Sequence, residues 1–437
     1  MNKGSTRLLV IVGLIALLAC SWYMMFSETA KVQAEYDLHL SAAREKYAAG
    51  LHELALEEFV QAQAIQDSIA LRDEMAQVYL DFGAYAAYEE FCGLIIEDYP
   101  YENLGYERLA DYYVNSEEYS MFFSIKESAD KRKIESAAIK ETAQKLAFEY
   151  SLENINIVDV GGACGGYFAT LRNKGLWGLL NERGGAALAF NYVKLSNFAN
   201  GVIYAETQDG ESVLIDRTGK VMSRVADERV IEDCSALNAG KMAVKYNEKY
   251  HYCDENFKEL FGSYDYAGVF NEGVAAVMNA GKWALINEKG EAITEFIYDD
   301  IKLDDVAVAF RSGRAFAKKG NTYILIDGKG NQVGNGSWDD VDAWNKDKIA
   351  AVKKGDKWGY IDSDGNEVVA CQYQGAKSFY NGMAAVQIGD KWGYIHSSDF
   401  SLRIEAIFAE ARDFTAKGTA FVREKTQWQI LQLYRLA

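Results

Sequence analysis

Hydrophobic and polar positions form three successive patterns along the chain. Leu8 to Phe26 is an uncharged run of 19 residues. From about 36 to 150, apolar residues recur at intervals of three and four, the period of one face of an α-helix. From 151 onward, apolar runs of about five residues alternate with glycine and Asx clusters, the spacing of short strands and tight turns.

Within the third region one stretch keeps returning. Lys357-Trp358-Gly359-Tyr360-Ile361-Asp362 recurs nearly intact as Lys391-Trp392-Gly393-Tyr394-Ile395-His396. Looser copies are Leu176-Trp177-Gly178-Leu179 and Lys282-Trp283-Ala284-Leu285. In frame with these, an aromatic slot falls at 177, 213, 250, 283, 323, 358, 392 and 428, at spacings of 33 to 40. A period of that size marks one small supersecondary unit stacked many times.

Each unit reads as an entry strand such as Met383 to Ile388, a turn, a second strand carrying the slot, and a third strand. Five units close the second hairpin with Asx first and glycine fourth, as in Asp362/Gly365, the signature of a type I turn. Three strands, two turns and a connection fill the repeat. A four-stranded propeller blade needs about 40 residues or more, so three strands are expected.

These residues resemble the bacterial WG repeat, and all of 151–437 looks like an array of it. The resemblance implies a β-repeat scaffold and a bacterial origin, and it brings no activity. Trp177, Trp283, Trp358, Trp392 and Trp428, with Gly178, Gly359 and Gly393, are read as structural repeat positions. Val213, Tyr250 and Tyr323 fill the same slot elsewhere, which suits packing. A ring of exposed aromatics gripping sugar is the alternative role for that slot.

The array is expected to close. Asn154 to Val158 aligns with a third strand, while the unit around Trp428 has only Leu433 to Leu436 left after its second strand. A spare strand in front would complete the deficient unit at the back and remove exposed edges, giving a propeller-like ring. The alternative is an open β spiral or solenoid.

In the helical region, Tyr47-Ala48-Ala49-Gly50 with Ala55 and Phe59 is echoed by Tyr79 to Gly83 with Ala87 and Phe91. A weaker third copy runs from Ala110 and Tyr113 to Phe123, with Asn115-Ser116 at the turn. The pattern resembles the tetratricopeptide repeat, a helix–turn–helix unit of 34 residues. Residues 131–150 would then form a capping helix.

The uncharged run at 8–26 is just long enough to span a bilayer. Lys3 and Arg7 precede it, so residues 1–7 are expected to stay in the cytoplasm and the bulk of the chain to lie outside. Leu17-Leu18-Ala19-Cys20 also resembles a bacterial lipoprotein box, so acylation at Cys20 is the alternative anchor. The expected architecture is therefore an α+β multidomain chain. A membrane anchor or lipoprotein-type signal (8–26) precedes a helical tetratricopeptide-like module (27–150) and an all-β domain of about eight three-stranded units (151–437).

Charge sharpens this picture. Of the net −18, residues 32–130 carry −16, from 21 acidic and 5 basic side chains. No basic footprint for nucleic acid exists. Glu57-Glu58, Glu89-Glu90 and Glu117-Glu118 recur at intervals expected of equivalent helices, and form a candidate partner-binding acidic face. Their alternative role is a solvated surface.

Catalytic chemistry finds no foothold. The four histidines lie far apart, and the six cysteines show no paired spacing for a metal or disulfide framework. The glycine-rich stretch Gly161 to Gly166 leads into a hairpin, not into the helix a phosphate loop requires. No cofactor and no catalytic residue is expected. The reading is a non-catalytic, membrane-anchored scaffold binding protein partners in the cell envelope. A glycan or small-ligand module with pockets between β units is the alternative.

Overall fold

The computed structural model describes residues 3–164, 166–172 and 175–436. It divides into two compact units, Met1–Leu146 and Ala147–Ala437.

The first unit holds α1 (Lys3–Ala48), α2 (His52–Ile65), α3 (Ile69–Asp81), α4 (Tyr85–Asp98), α5 (Leu104–Asn115), α6 (Tyr119–Lys131) and α7 (Ala137–Lys145). Successive helices pack through a core that includes Phe59, Tyr88, Tyr106 and Phe122. The turns after α1 and α3 place Gly50 and Gly83 at φ 75° and 74°. Their amides and the next ones reach back to the helix, as Gly50 N to Tyr47 O and Leu51 N to Lys46 O. The third turn was expected at Asn115-Ser116, but the left-handed residue is Glu117 at φ 61°. Glu117 N bonds Val114 O and Glu118 N bonds Tyr113 O, so the third helix pair uses the same turn with a carboxylate in the glycine's place.

The uncharged run lies within α1, but the side chains of residues 8–20, 23, 24 and 26, Cys20 included, lie outside the described residues. The transmembrane and lipoprotein expectations both fall there. Among the described residues no helix is long and apolar enough to cross a membrane.

The second unit is a closed ring of eight sheets, numbered here as blades 1 to 8 from Asp159, Lys194, Asp233, Tyr266, Asp300, Asp340, Gly375 and Glu410. Each blade is an antiparallel meander, beginning with a short inner strand. Six blades have four strands. Blades 4 and 5 have three, and isolated bridges (Trp283 with Tyr298, Tyr323 with Trp338) mark the fourth position. The expected three-strand unit is therefore corrected. In seven blades the inner strand is two residues long, which lets a four-stranded blade fit the short repeat.

The turn chemistry follows the sequence pattern. Asp362 Oδ1 accepts the amides of Asp364 and Asn366, each at 2.9 Å, while Gly365 N closes on Asp362 O. A second repeated bond links neighbouring blades. Asn238, Asn271 and Asn381 each donate Nδ2 to a carbonyl of the next blade, of Phe270, Phe310 and Phe414, at 2.7 Å.

The Trp-Gly pair has a backbone cause. In blades 1, 6 and 7 the outer strand carries a bulge opposite it: Trp358 pairs with Tyr373, yet Tyr360 pairs with Val369, so two extra residues sit on the outer strand. Blades 1 and 7 repeat this, with Trp177–Tyr192 against Leu179–Leu188 and Trp392–Phe408 against Tyr394–Ile404. The bulged backbone fills the space a side chain would need. A Cβ on Gly359 would stand 2.5 Å from Val369 O, and one on Gly393 2.5 Å from Ile404 O. Where the slot is followed by Leu214 or His251 the bulge shrinks by one residue, and beside Ala284 or Ile324 the outer strand is reduced to bridges.

Closure takes the expected form, displaced by a few residues. Tyr150–Asn154 pairs antiparallel with Gln427–Leu433, matching Tyr150 with Leu433 and Asn154 with Gln429. The N-terminal strand thus completes blade 8. Ile155 N continues the ladder to Trp428 O at 3.0 Å. Phe168 of blade 1 meets Phe421 of blade 8 at 4.8 Å between ring centroids. This register is regular, and the residue after Trp428 is Gln429.

Two outcomes test these causes. Gly359→Ala must push its Cβ into a backbone carbonyl and is expected to lower stability by about 2–4 kcal/mol, read from denaturant unfolding. Ile155→Pro removes the donor to Trp428 and is expected to speed amide exchange in blades 1 and 8 together. Faster exchange confined to blade 1 would contradict closure.

Candidate functional site

The axis of the ring is where unlike side chains converge. The inner strands of seven blades present an equivalent residue, identified by an amide bonded to its neighbouring strand: Ser196, Ser235 and Gly268 in blades 2 to 4, then Lys302, Asp342, Lys377 and Arg412 in blades 5 to 8. Charge is therefore confined to one half of the ring.

Blade 5 adds a plug. Nine positions separate Ile301 from Phe310, against three between Val341 and Trp344, and the additional residues form the loop Leu303–Val308. Val269 N donates to Ala307 O at 2.8 Å, and Val269 pairs with Val308. The loop also reaches the opposite side, since a Cβ on Gly162 of blade 1 would lie 2.6 Å from Asp305 Cβ. Gly162 makes room for this loop. Asp304 holds the loop's shape: Oδ1 accepts the amides of Val306 and Val308, at 3.0 and 2.9 Å. Its Oδ2 takes two bonds from Arg311, at 2.8 and 2.6 Å.

Beside the plug lies a cavity of about 80 Å³, lined by Asp305, Asp342, Lys377, Arg412 and Asp413 among others. That is space for a few waters, well short of a pocket for an organic substrate. Asp342 Oδ2 accepts Ser378 N at 2.7 Å. Burial pushes the Asp413 carboxyl up to about 7, with Asp342 and Asp305 adding to the rise and Lys377 and Arg412 opposing it. Burial also works against the charge on Lys377, but Asp413, Asp342 and Asp305 outweigh it and raise its pKa. Burial raises the Asp304 carboxyl as well, against the pull of Arg311 and two amides. The arrangement can store or exchange a proton near neutrality. Among the described residues no group of three or more His, Cys, Asp or Glu is placed to hold a metal ion.

None of the charged residues here stands out in the sequence, and the glycine-rich stretch at 161–166 reads there only as the start of a hairpin. The available signal was the 40-residue spacing between Trp283 and Tyr323, which contains the plug. The residues that were singled out lie elsewhere. Trp177, Trp283, Trp358 and Trp392 are half-buried and pack against inter-blade cores, and Trp428 is buried. Trp428 also sits between Arg412 and Arg423, each within 5.6 Å of its ring.

The six acidic residues do not form one equivalent set. Glu57 and Glu90 are exposed at matching places on α2 and α4. Glu58 bonds Lys46 at 2.8 Å and His39 at 2.5 Å, which together hold its carboxyl below the usual range. Glu89 accepts the Tyr113 hydroxyl at 2.9 Å. Glu117 and Glu118 stand in the turn before α6, because the third pair carries Phe123 and Ser124 where the earlier helices carry glutamate.

The family described as WG containing repeat matches residues 252–283, 284–323, 358–392 and 392–428. Four stretches of the second unit thus carry the WG repeat. Each match runs close to one aromatic slot and on to the next, so the family unit straddles two blades of the ring. No curated protein matches the chain in sequence. Among solved structures, Hsv2p of Kluyveromyces lactis is similar at 9% identity and TM-score 0.39, over 55% of this chain and 93% of that one. The WD40 domain of Pan2 from Neurospora crassa is similar at 11% identity and TM-score 0.31, over 56% and 89%. Likenesses this weak carry no argument about function.

The lumen makes the WG ring sensitive to pH. An acid whose folded pKa is raised from 3.8 to about 7 keeps its proton in the fold after the unfolded chain has lost it. Asp413 therefore erodes stability as pH rises from about 4 to 7, by at most about 1.4 kcal/mol per pH unit, with no further change above 7. Asp413→Asn is expected to flatten that part of the stability profile, gaining most over the parent at pH 8 and least at pH 4, measured by urea unfolding.

Proposed function

We propose that this WG-repeat protein is a non-catalytic scaffold that binds protein partners in a bacterial cell envelope. In this reading residues 8–26 anchor it in the membrane, or Cys20 carries a lipid, and the bulk of the chain is extracytoplasmic. One observation carries the scaffold part: the repeated aromatic slots are used for packing between blades, and the plug of blade 5 reaches across to blade 1 and leaves a cavity of only about 80 Å³. What remains for recognition is broad outer surface on two repeat units, the kind of surface such architectures use to bind macromolecules. The half-buried tryptophans speak against the glycan alternative, which needs aromatic faces open to solvent beside polar groups.

Topology is tested by adding protease to sealed spheroplasts. Residues beyond 30 are expected to be digested without lysis, since Lys3 and Arg7 hold the N-terminus inside. Protection until lysis would overturn the exported reading. Photo-crosslinkers on the outer blade surfaces and on α2 and α4 are expected to trap the same partner at saturable stoichiometry in intact envelopes. A chain that crosslinks only to itself at every position would overturn the scaffold reading.

A further inference from the structure

Beside α5 the helical unit has an open groove of about 600 Å³, lined by Leu80, Tyr85, Tyr88, Arg108, Asp111 and Tyr112 among others. Its walls are aromatic. The Tyr112 ring lies 5.9 Å from Tyr85, inclined by 30°, and 5.4 Å from Tyr88. Tyr88 is buried and fixed by its hydroxyl, which donates to Arg108 O at 3.0 Å. Tyr85, by contrast, is 54% exposed and presents its ring to solvent.

The groove's charge is negative in effect. Arg108 is its one lining cation, and it is already engaged: two guanidinium nitrogens donate to Asp73 Oδ1 at 2.8 and 2.6 Å, and a third to Gln77 at 2.6 Å. Asp111 has no such partner among the described residues. Burial holds its carboxyl above the usual range, with Glu107 adding to the rise and Arg108 opposing it. Glu89 and Glu118 also act on Tyr112 from the groove's border. The surrounding stretch 32–130 carries −16. Electron-rich ring faces beside an uncompensated carboxylate attract an organic cation. An acidic or purely apolar segment would leave the carboxylates unpaired and desolvated.

We propose that this groove takes a lysine or arginine side chain from a basic segment of a protein partner, held against the faces of Tyr85 and Tyr112 and paired with Asp111. The proposal rests on the scaffold reading and adds the chemistry of the partner.

The test uses the full chain in detergent and labelled peptides of alternating lysine and serine, with arginine, glutamate and all-serine counterparts. The lysine and arginine peptides are expected to bind, with affinity falling as salt rises, and the other two are not. Tyr85→Phe keeps an aromatic face and is expected to bind like the parent. Tyr85→Leu keeps apolar bulk without that face and is expected to weaken binding about tenfold. Asp111→Asn is expected to weaken it about fivefold. Glu141→Gln, exposed on α7 and outside the groove, is expected to stay within about twofold. In the bound parent complex, the lysine ε-methylene protons are expected to shift upfield under the tyrosine ring currents.

No binding of either basic peptide, equal binding of the serine peptide, an unaffected Tyr85→Leu, equal losses for Glu141→Gln and Asp111→Asn, or an absent upfield shift would each overturn the groove assignment. Partner crosslinking that survives Tyr85→Leu while the peptides fail would leave the scaffold reading standing without it. A chain with no partner at any position would remove the scaffold reading itself.

Discussion

Ring closure is the constraint on which the rest of the second unit depends. Eight short meanders stacked face to face, each its own sheet, would leave the outer faces of the first and last uncovered and the last without its outer strand. The pairing of Tyr150–Asn154 with Gln427–Leu433 supplies that outer strand. It also brings blades 1 and 8 together around Ile157, Phe168, Phe421, Trp428 and Ile430. With the ends joined, the inner strands face a common axis, and only then can a loop from blade 5 reach Gly162 on the far side.

The Trp-Gly pair and closure are two solutions to one problem, the covering of the third strand of a blade. Blades 1, 6 and 7 use their own outer strand, which returns with two extra residues and presses against a glycine. Blade 8 uses a strand from the far end of the chain, in regular register, and there the glycine gives way to Gln429. The motif thus reports how a blade is covered from outside. The tryptophan before it fills the gap between blades, which Val213, Tyr250 and Tyr323 fill with less or different bulk.

Much of this was legible in the sequence because turns and packing slots are local. The Asx–Gly turns, the slot at 358 and 392 and the spare N-terminal strand each show as a pattern a few residues long. The inner strand was not: two residues such as Gly375–Ala376 make no alternation to detect. The turn at Glu117 escaped because its conformation is set by the helices on either side and runs against the residue's own preference. The lumen was invisible for another reason. Lys377, Asp413 and Asp305 belong to three different repeats, and each looks like an ordinary surface charge until the ring curls them inward.

The closing strand also sets an order of events. Tyr150 emerges early in synthesis, while its partner Leu433 lies in the last turn of the ladder to be made. Contacts this far apart in sequence form late and raise the entropic barrier to folding. Until residues 427–433 are present, blade 8 lacks its central strand and blade 1 lacks its neighbour. A chain cut short by even a few tens of residues cannot form the ring at all. A product cut short there leaves an unpaired strand at 150–154 and an uncovered face on blade 1, the kind of surface through which chains aggregate.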